Sequence, residues 1–358
     1  MKLISVDEIQ QGMVLAQNVY TLDDQLVLPK GTMLDPKAIR RLHNYNIFNV
    51  FINDDDAKEK TIKSSKKESF GKRLKESREF QDFKKALEKD AKLLETALKK
   101  TFTSDEAIKS QSLAAPVLSL FDQNETGAGI MDMIHNLRGY DDAIYMHSIS
   151  VALISNMIAR WMRKSDEEIK MITTAGLVHD IGKIIIPQSI LTKTSSLTPR
   201  ENETLKTHTR LGYQLLKDKD IDPHIKNAVL MHHERNDGSG YPLGLKGEKI
   251  DPVARIIAVA DIYDDLTSKR ANHEPVSPFK VIEAFEADGL IKYDADVILT
   301  FLNHIANTFL ANKVRLSNNL EGEVIYINPE YLARPTVKCG DSFIDLSRRK
   351  DIYITAII

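Results

Sequence analysis

The sequence predicts a mainly α protein, with an all-helical core set between a small α/β unit at the N-terminus and a short β-rich appendage at the C-terminus. Three observations predict it. Capped, apolar-faced segments follow one another through the middle of the chain, residues 1–54 carry short apolar runs broken by turn residues, and after about Arg315 short strand-like runs return.

In residues 1–54, Gly12 to Ala16 and Leu26 to Leu28 read as strands around a turn at Asp23-Asp24. Asp35-Pro36 starts a short helix, and Val50 to Ile52 reads as a closing strand. No cofactor fingerprint lies here, so a regulatory or dimerisation role is expected from position alone. Residues 55–125 form a basic linker and an amphipathic helix. From Ala57 to Lys100 there are 15 Lys or Arg against 8 Asp or Glu, in a chain whose formal net charge is −2. Without an aromatic platform or groove-reading motif, such a run reads as a solvated helix face, and no nucleic-acid polymer is expected as partner. Phe80, Phe83, Leu87, Ala91, Leu94 and Leu98 recur at helical spacing, so this face needs a partner. That partner is either the helical core or a second copy of the chain, a homodimer through residues 71–100.

The core, residues 126–315, carries an ordered series of metal-competent side chains: His147, His179-Asp180, His208, His232-His233 and Asp261. Ser165 and Glu168 form a capping box, so a helix runs into His179-Asp180 and stops at Gly182. Thr198, Pro199 and Glu201 repeat the start signal for a helix that places His208, Leu211 and Leu215 on one face. Asp222-Pro223 and Asp251-Pro252 open helices carrying His232-His233 and Asp261 with Asp264. His147 or His208 alone would be read as a packed core histidine. Together, neutral imidazoles and carboxylates suit divalent transition metals, and seven groups exceed one tetrahedral site, so two metals sharing a bridging ligand are expected. His43, His135, His224, His273 and His304 fall outside the series and are assigned to surface or packing roles. In the appendage, residues 316–358, Glu323 to Ile327, Pro335 to Lys338, Phe343 to Leu346 and Ile352 to Ile357 read as short strands.

The residues beside the ligands resemble a known family. His179-Asp180-Ile181-Gly182-Lys183 is similar to the H-D-x-G-K signature of the HD superfamily of metal-dependent phosphohydrolases. His232-His233-Glu234-Arg235-Asn236-Asp237-Gly238-Ser239-Gly240-Tyr241-Pro242 resembles the HHE-x-x-DGxGYP segment of its HD-GYP subfamily. His208 with Gly212, and Val259 to Asp264 with Leu266 to Ser268 and Arg270, extend the likeness over roughly residues 132–310.

The resemblance implies an HD-type helical fold and a phosphodiesterase that opens cyclic di-GMP to pGpG and often onward to GMP. It implies two divalent ions, Fe or Mn being expected. Asp180 would bridge them, with His147, His179 and Asp261 on one side and His208, His232 and His233 on the other, and a bridging hydroxide as nucleophile. A phosphodiester is an anion that repels hydroxide, so paired metals about 3.5–4 Å apart suit this chemistry by lowering the pKa of water and stabilising both oxygens. Lys183 would face a non-bridging phosphate oxygen. Arg235 and Arg270 are candidates for phosphate or guanine contacts, and Tyr241 for the ligand pocket. Two positions depart from the family pattern. Ala143 stands where members with a third metal carry Glu, so two metals are expected, and Arg270 is followed by Ala271-Asn272-His273 where the family often has Pro-Tyr and a basic residue. Two alternatives remain: a hydrolase of another cyclic dinucleotide, or a catalytically silent cyclic di-GMP receptor or scaffold.

Composition agrees with this reading. The single Cys339 forms no internal disulfide and makes thiolate ligation a minor theme, which points to a reducing cytoplasm. The N-terminus lacks the apolar stretch of a signal sequence, and no run reaches the ~18 apolar residues of a membrane helix.

Overall fold

The computed structural model describes residues 2–6, 9, 12–20, 26–35, 38–39, 42, 47, 49–53, 78–103, 110–123, 130–131, 133–134, 144–269 and 274–358. The expected Asp23-Asp24 turn, the linker before Arg78, Ala143 and Arg270 to His273 lie outside these residues.

The N-terminal unit pairs β1 (Lys2–Ser5) antiparallel with β4 (Asn49–Ile52), and β2 (Val19–Tyr20) with β3 (Leu26–Leu28). The expected strand over Gly12 to Ala16 is reduced to two isolated bridges, Val14 with Met33 and Leu15 with Ile52, because β3 is taken up by β2. β1 has no counterpart in the sequence reading. Asp35 caps a helical segment by accepting from Ala38 N at 2.6 Å. Ile4, Leu15, Leu34, Leu42, Val50 and Ile52 pack into a cluster separate from the main core.

The main core begins with α1 (Arg78–Thr103) and α2 (Ser110–Gln123). All six predicted apolar positions of α1 are buried. They join one cluster with α3 (Ile144–Trp161) and α4 (Asp166–Val178), so the stripe finds its cover within the chain. A large aliphatic or aromatic side chain buried this way contributes about 1.5–3 kcal/mol. The Ser165–Glu168 capping box starts α4 as expected, and His179 is its C-cap. Gly176 on α4 sits directly against Ala152 on α3, where an added Cβ would lie 2.6 Å from Ala152 Cα.

A 3-10 turn, Ile181–Ile185, follows, then α5 (Gln188–Leu191) and α6 (Pro199–Lys206), opened by the predicted Thr198–Glu201 box. The helix expected to continue through His208 instead breaks at Thr207, whose hydroxyl donates to Thr204 O at 2.6 Å and competes with the helical ladder. His208 therefore begins α7 (His208–Leu216) rather than riding the middle of one helix. α8 (Pro223–Met231) and α9 (Pro252–Thr267) carry the predicted Asp-Pro starts. Asp251 caps α9 through Val253 N and also accepts from His224 Nδ1 at 2.8 Å and Asn227 Nδ2 at 2.9 Å, joining the two helix starts. α10 (Pro278–Lys292) and α11 (Ala295–Ile305) complete the helices, and His304 stacks on Trp161 at 4.7 Å, a packing role.

The chain ends in an antiparallel sheet of order β8-β7-β6-β5-β9, formed by β5 (Lys313–Leu316), β6 (Glu321–Asn328), β7 (Tyr331–Cys339), β8 (Ser342–Asp345) and β9 (Ile354–Ile357). Four strands match the predicted runs, and β5 was not anticipated. Val314, Val324, Leu332 and Val337 belong to the same cluster as the helices, so the sheet closes the helical core. Among the described residues no helix is long and apolar enough to cross a membrane.

The 3-10 turn meets α7 at two glycines. A Cβ at Gly182 would collide with His208 O, and Gly212 N would lie 2.6 Å away. Gly182→Ala is therefore expected to force this contact open and lower stability by about 1–3 kcal/mol, read as a drop in melting temperature. An unchanged melting temperature would show that the contact is compliant.

Candidate metal centre

Four separate helix termini bring six of the seven side chains together, and the middle of a fifth helix supplies the last. His179 and Asp180 leave the C-terminus of α4, His208 starts α7 just past the end of α6, and His232 and His233 follow the last turn of α8. His147 lies in the first turns of α3, and Asp261 in the middle of α9. Their ligand atoms fall into two groups, His147, His179 and Asp261 in one, and Asp180, His208, His232 and His233 in the other.

The Asp180 carboxylate joins the groups. Its Oδ2 lies 3.5 Å from His147 Nε2 and 3.3 Å from His179 Nε2. Its Oδ1 lies 3.3 Å from His208 Nε2 and 3.8 Å from His232 Nε2. Asp261 Oδ1 stands 3.1 Å from His147 Nε2, and its Oδ2 3.7 Å from His233 Nδ1. Every ligand except His233 is buried.

The other ring nitrogens set the tautomers. The last carbonyls of a helix lack intrahelical partners, and the histidines at the three C-termini use them. Nδ1–H of His179 donates to Gly176 O at 2.8 Å, that of His208 to Leu205 O at 2.7 Å, and that of His232 to Val229 O at 3.0 Å. His147, near a helix N-terminus, donates instead to the Asp264 carboxylate at 2.8 Å. Each of these four rings therefore points Nε2 into the centre, the arrangement that metal-ligating histidines adopt. His179 Nε2 and Asp180 Oδ1 are buried polar atoms without a hydrogen-bond partner. Such atoms are rare unless an ion or water completes them, so the residues fit divalent metal ions.

Burial opposes charge at every member, and the neighbours decide the outcome. It pushes His208 down, with His179 and His208 alongside it holds His232 at about 3, and with His232 and His208 alongside it holds His233 well below the usual imidazole range. At His179 burial acts the same way, but the Asp180 and Asp261 carboxylates overcome it and raise the group to about 10. Burial would raise both carboxyls, yet Lys183 and His179 hold Asp180 well below its ordinary value, as His147 and His179 do Asp261.

The remaining predicted residues surround this centre. Lys183 places Nζ 2.5 Å from Asp180 Oδ2, with its side chain 23% exposed toward solvent. Burial opposes its charge, but Asp180 and Asp261 raise its pKa. Tyr241 stacks on His233 with ring centroids 4.6 Å apart, and burial raises its phenol. Arg235 does not extend freely: its Nη1 donates to Glu234 O at 2.9 Å and His232 O at 3.3 Å, and its guanidinium lies 5.0 Å over the Tyr293 ring. The sequence reading gave no role to Asp264 or Glu234. Asp264 falls one helical turn after Asp261, a spacing that could have marked it as a partner of the same centre. Buried Glu234 accepts from Leu243 N at 2.6 Å and Leu245 N at 2.9 Å, holding the far end of the glycine-rich loop.

Residues 132–297 match the HD domain family. A cyclic di-GMP phosphodiesterase of Pseudomonas aeruginosa is 33% identical over 203 residues, 56% of this chain and 49% of that protein. A 3'3'-cGAMP-specific phosphodiesterase of Vibrio cholerae is 32% identical over 160 residues, 44% of this chain and 31% of that protein. The chain thus spans about half or less of the length of these curated relatives. A solved structure, described as an HDG"Y"P protein from Bdellovibrio bacteriovorus, shares the fold, with a TM-score of 0.51 at 17% identity over 84% of this chain and 97% of that one.

Two outcomes follow from the centre's electrostatics. Asp264→Ala frees the His147 ring to turn and is expected to weaken divalent-ion binding about 10- to 100-fold, measured as ion retained after dialysis against a chelator; full retention would refute the orienting role. In metal-free protein, His208, His232 and His233 have depressed folded-state pKa values, so the unfolded chain binds more protons as pH falls through about 6.5 and stability is lost. His179 runs the other way: its raised value contributes fully below about 6.5 and is lost only as pH rises through about 10. Three groups outweigh one, and the melting temperature of chelator-treated protein should drop between pH 7 and pH 5.

Proposed function

We propose that this chain, whose residues 132–297 belong to the HD domain family, is a divalent-metal-dependent phosphodiesterase that hydrolyses cyclic di-GMP to pGpG and onward to GMP. The observation that carries the reading is the Asp180 carboxylate, which turns one oxygen toward each of two histidine-rich groups beside the glycine-rich loop. Two ions, Fe(II) or Mn(II), fit these groups, since imidazole and carboxylate suit both. When bound, such a pair supplies an activated water at neutral pH and Lewis-acid stabilisation of the phosphate.

The chain's own residues do the rest. Asp180 holds the two groups in register, with His147, His179 and Asp261 on its Oδ2 side and His208, His232 and His233 on the other. Lys183, anchored on Asp180 and partly open to solvent, presents a fixed positive charge for a non-bridging phosphate oxygen, whose negative charge grows in the transition state. Tyr241, braced on His233, offers a ring and a hydroxyl to the bound nucleotide. Arg235 and Arg270 complete the proposed contacts; the interactions of Arg235 with His232 O and Tyr293 suit it to shaping the loop as well as meeting substrate.

The test is turnover of cyclic di-GMP by protein loaded anaerobically with Fe(II) or Mn(II). Asp180→Ala should lower kcat/KM at least about 10³-fold and reduce bound metal. Lys183→Ala should lower kcat about 100-fold with metal content retained. Normal activity in Asp180→Ala would overturn the bridging role. Because one similar protein is named for 3'3'-cGAMP, the same assay should include that dinucleotide, and a higher kcat/KM for it would replace cyclic di-GMP as the substrate.

A further inference from the structure

The glycine-rich loop beside the metal centre is anchored to α10. Asn236 N donates to Lys292 O at 2.9 Å, and its side-chain Nδ2 donates to Tyr293 O at 3.0 Å, so one residue grips the two carbonyls that end that helix. Arg235 lies over the Tyr293 ring alongside it. On the loop side Asn236 O accepts from Gly247 N at 3.2 Å, and Tyr241 N donates to His233 O at 3.2 Å, so the segment between is closed on itself and onto a ligand residue.

α10 is in turn gripped by the C-terminal sheet. The Glu286 carboxylate accepts from Leu332 N at 2.6 Å and Ala333 N at 3.4 Å, at the start of β7. One turn earlier on the helix, Glu283 meets Arg334 Nη2 at 2.6 Å. Desolvation raises the Glu286 carboxyl, while the two backbone N–H groups act against that. The sheet, the helix and the loop are thus joined end to end by hydrogen bonds, and the sheet shares the helices' apolar cluster.

We infer that Asn236 is a positioning residue for substrate and that the C-terminal sheet, acting through Glu286 and α10, sets where the Tyr241 loop stands. The inference rests on the proposed phosphodiesterase activity for its kinetic readout. Asn236 and Glu286 touch none of the seven metal ligands through the bonds described, so their effect falls on the loop that meets the nucleotide, not on the ions. Interactions realised equally in ground and transition states alter KM and leave kcat unchanged.

Two variants and two readouts test it. Asn236→Ala, which removes one side-chain hydrogen bond, should raise KM about fivefold while kcat and metal content stay at the wild-type level, and Glu286→Ala should raise KM in the same direction. The double variant should fall short of the product of the two effects, since both act on one connection. Independently of any substrate, hydrogen exchange at the amides of Tyr241, Leu243 and Leu245 should accelerate in both variants. Unchanged exchange at these amides, or loss of metal in Asn236→Ala, would overturn the inference. If the wild-type chain turns over no cyclic dinucleotide, the functional reading fails, and the exchange measurement alone decides the connection.

Discussion

A buried carboxylate shared by two groups of histidines is the constraint on which the rest of the structure depends. Asp180 is 2% exposed, and burying an uncompensated charge is prohibitive. Its negative charge is tolerable only with positive partners close by: Lys183 one turn away and the raised His179 beside it. Holding those partners means bringing the ends of α4, α6 and α8 to one point. The capping boxes fix where α4 and α6 begin, and Gly182 lets the turn after Asp180 lie against His208.

Placement at helix C-termini answers a second requirement, that each imidazole present a lone pair. Carbonyls that the helix leaves unpaired take the Nδ1 proton of His179, His208 and His232, so backbone geometry does what a dedicated side chain would otherwise do. The break at Thr207 belongs to this logic. In an unbroken helix Leu205 O would accept from the residue four further on, whereas at the end of α6 it accepts from His208 Nδ1. His147 sits at the opposite kind of terminus, and there Asp264 supplies the acceptor.

What the sequence made legible follows from how local each signal is. Capping boxes and Asp-Pro starts involve three or four consecutive residues, and the helix starts at Ser165, Thr198, Asp222 and Asp251 appear as read. The clustering of the seven metal-competent side chains was legible for a similar reason: their types and order carry the pattern. The break at Thr207 was hidden because His208, Leu211 and Leu215 keep the same period across it. β1 and β5 were missed because strand identity depends on a distant partner, β4 for one, β6 and β9 for the other. The roles of Asp264 and Glu234 were illegible for the same cause: each acts on groups 117 and about ten residues away that only the fold brings near.

The two sides of the centre are not equivalent, and the asymmetry is built into the residues. On the Oδ2 side of Asp180 stand a second carboxylate, a raised histidine and Lys183. On the Oδ1 side stand His208, His232 and His233, all held neutral by burial. Imidazole-rich and carboxylate-rich surroundings differ in the ions they favour. Lys183 is cationic and partly exposed, and Lys206 places a second cation 5.6 Å over the Tyr241 ring on the other side. In the proposed reaction a phosphate anion arriving from solvent would meet the carboxylate-rich side at Lys183, while the neutral side carries His233 and Tyr241 in stacked contact. On the proposed reading, that arrangement would orient the substrate with its phosphate charge toward Lys183 and its aromatic surface toward Tyr241.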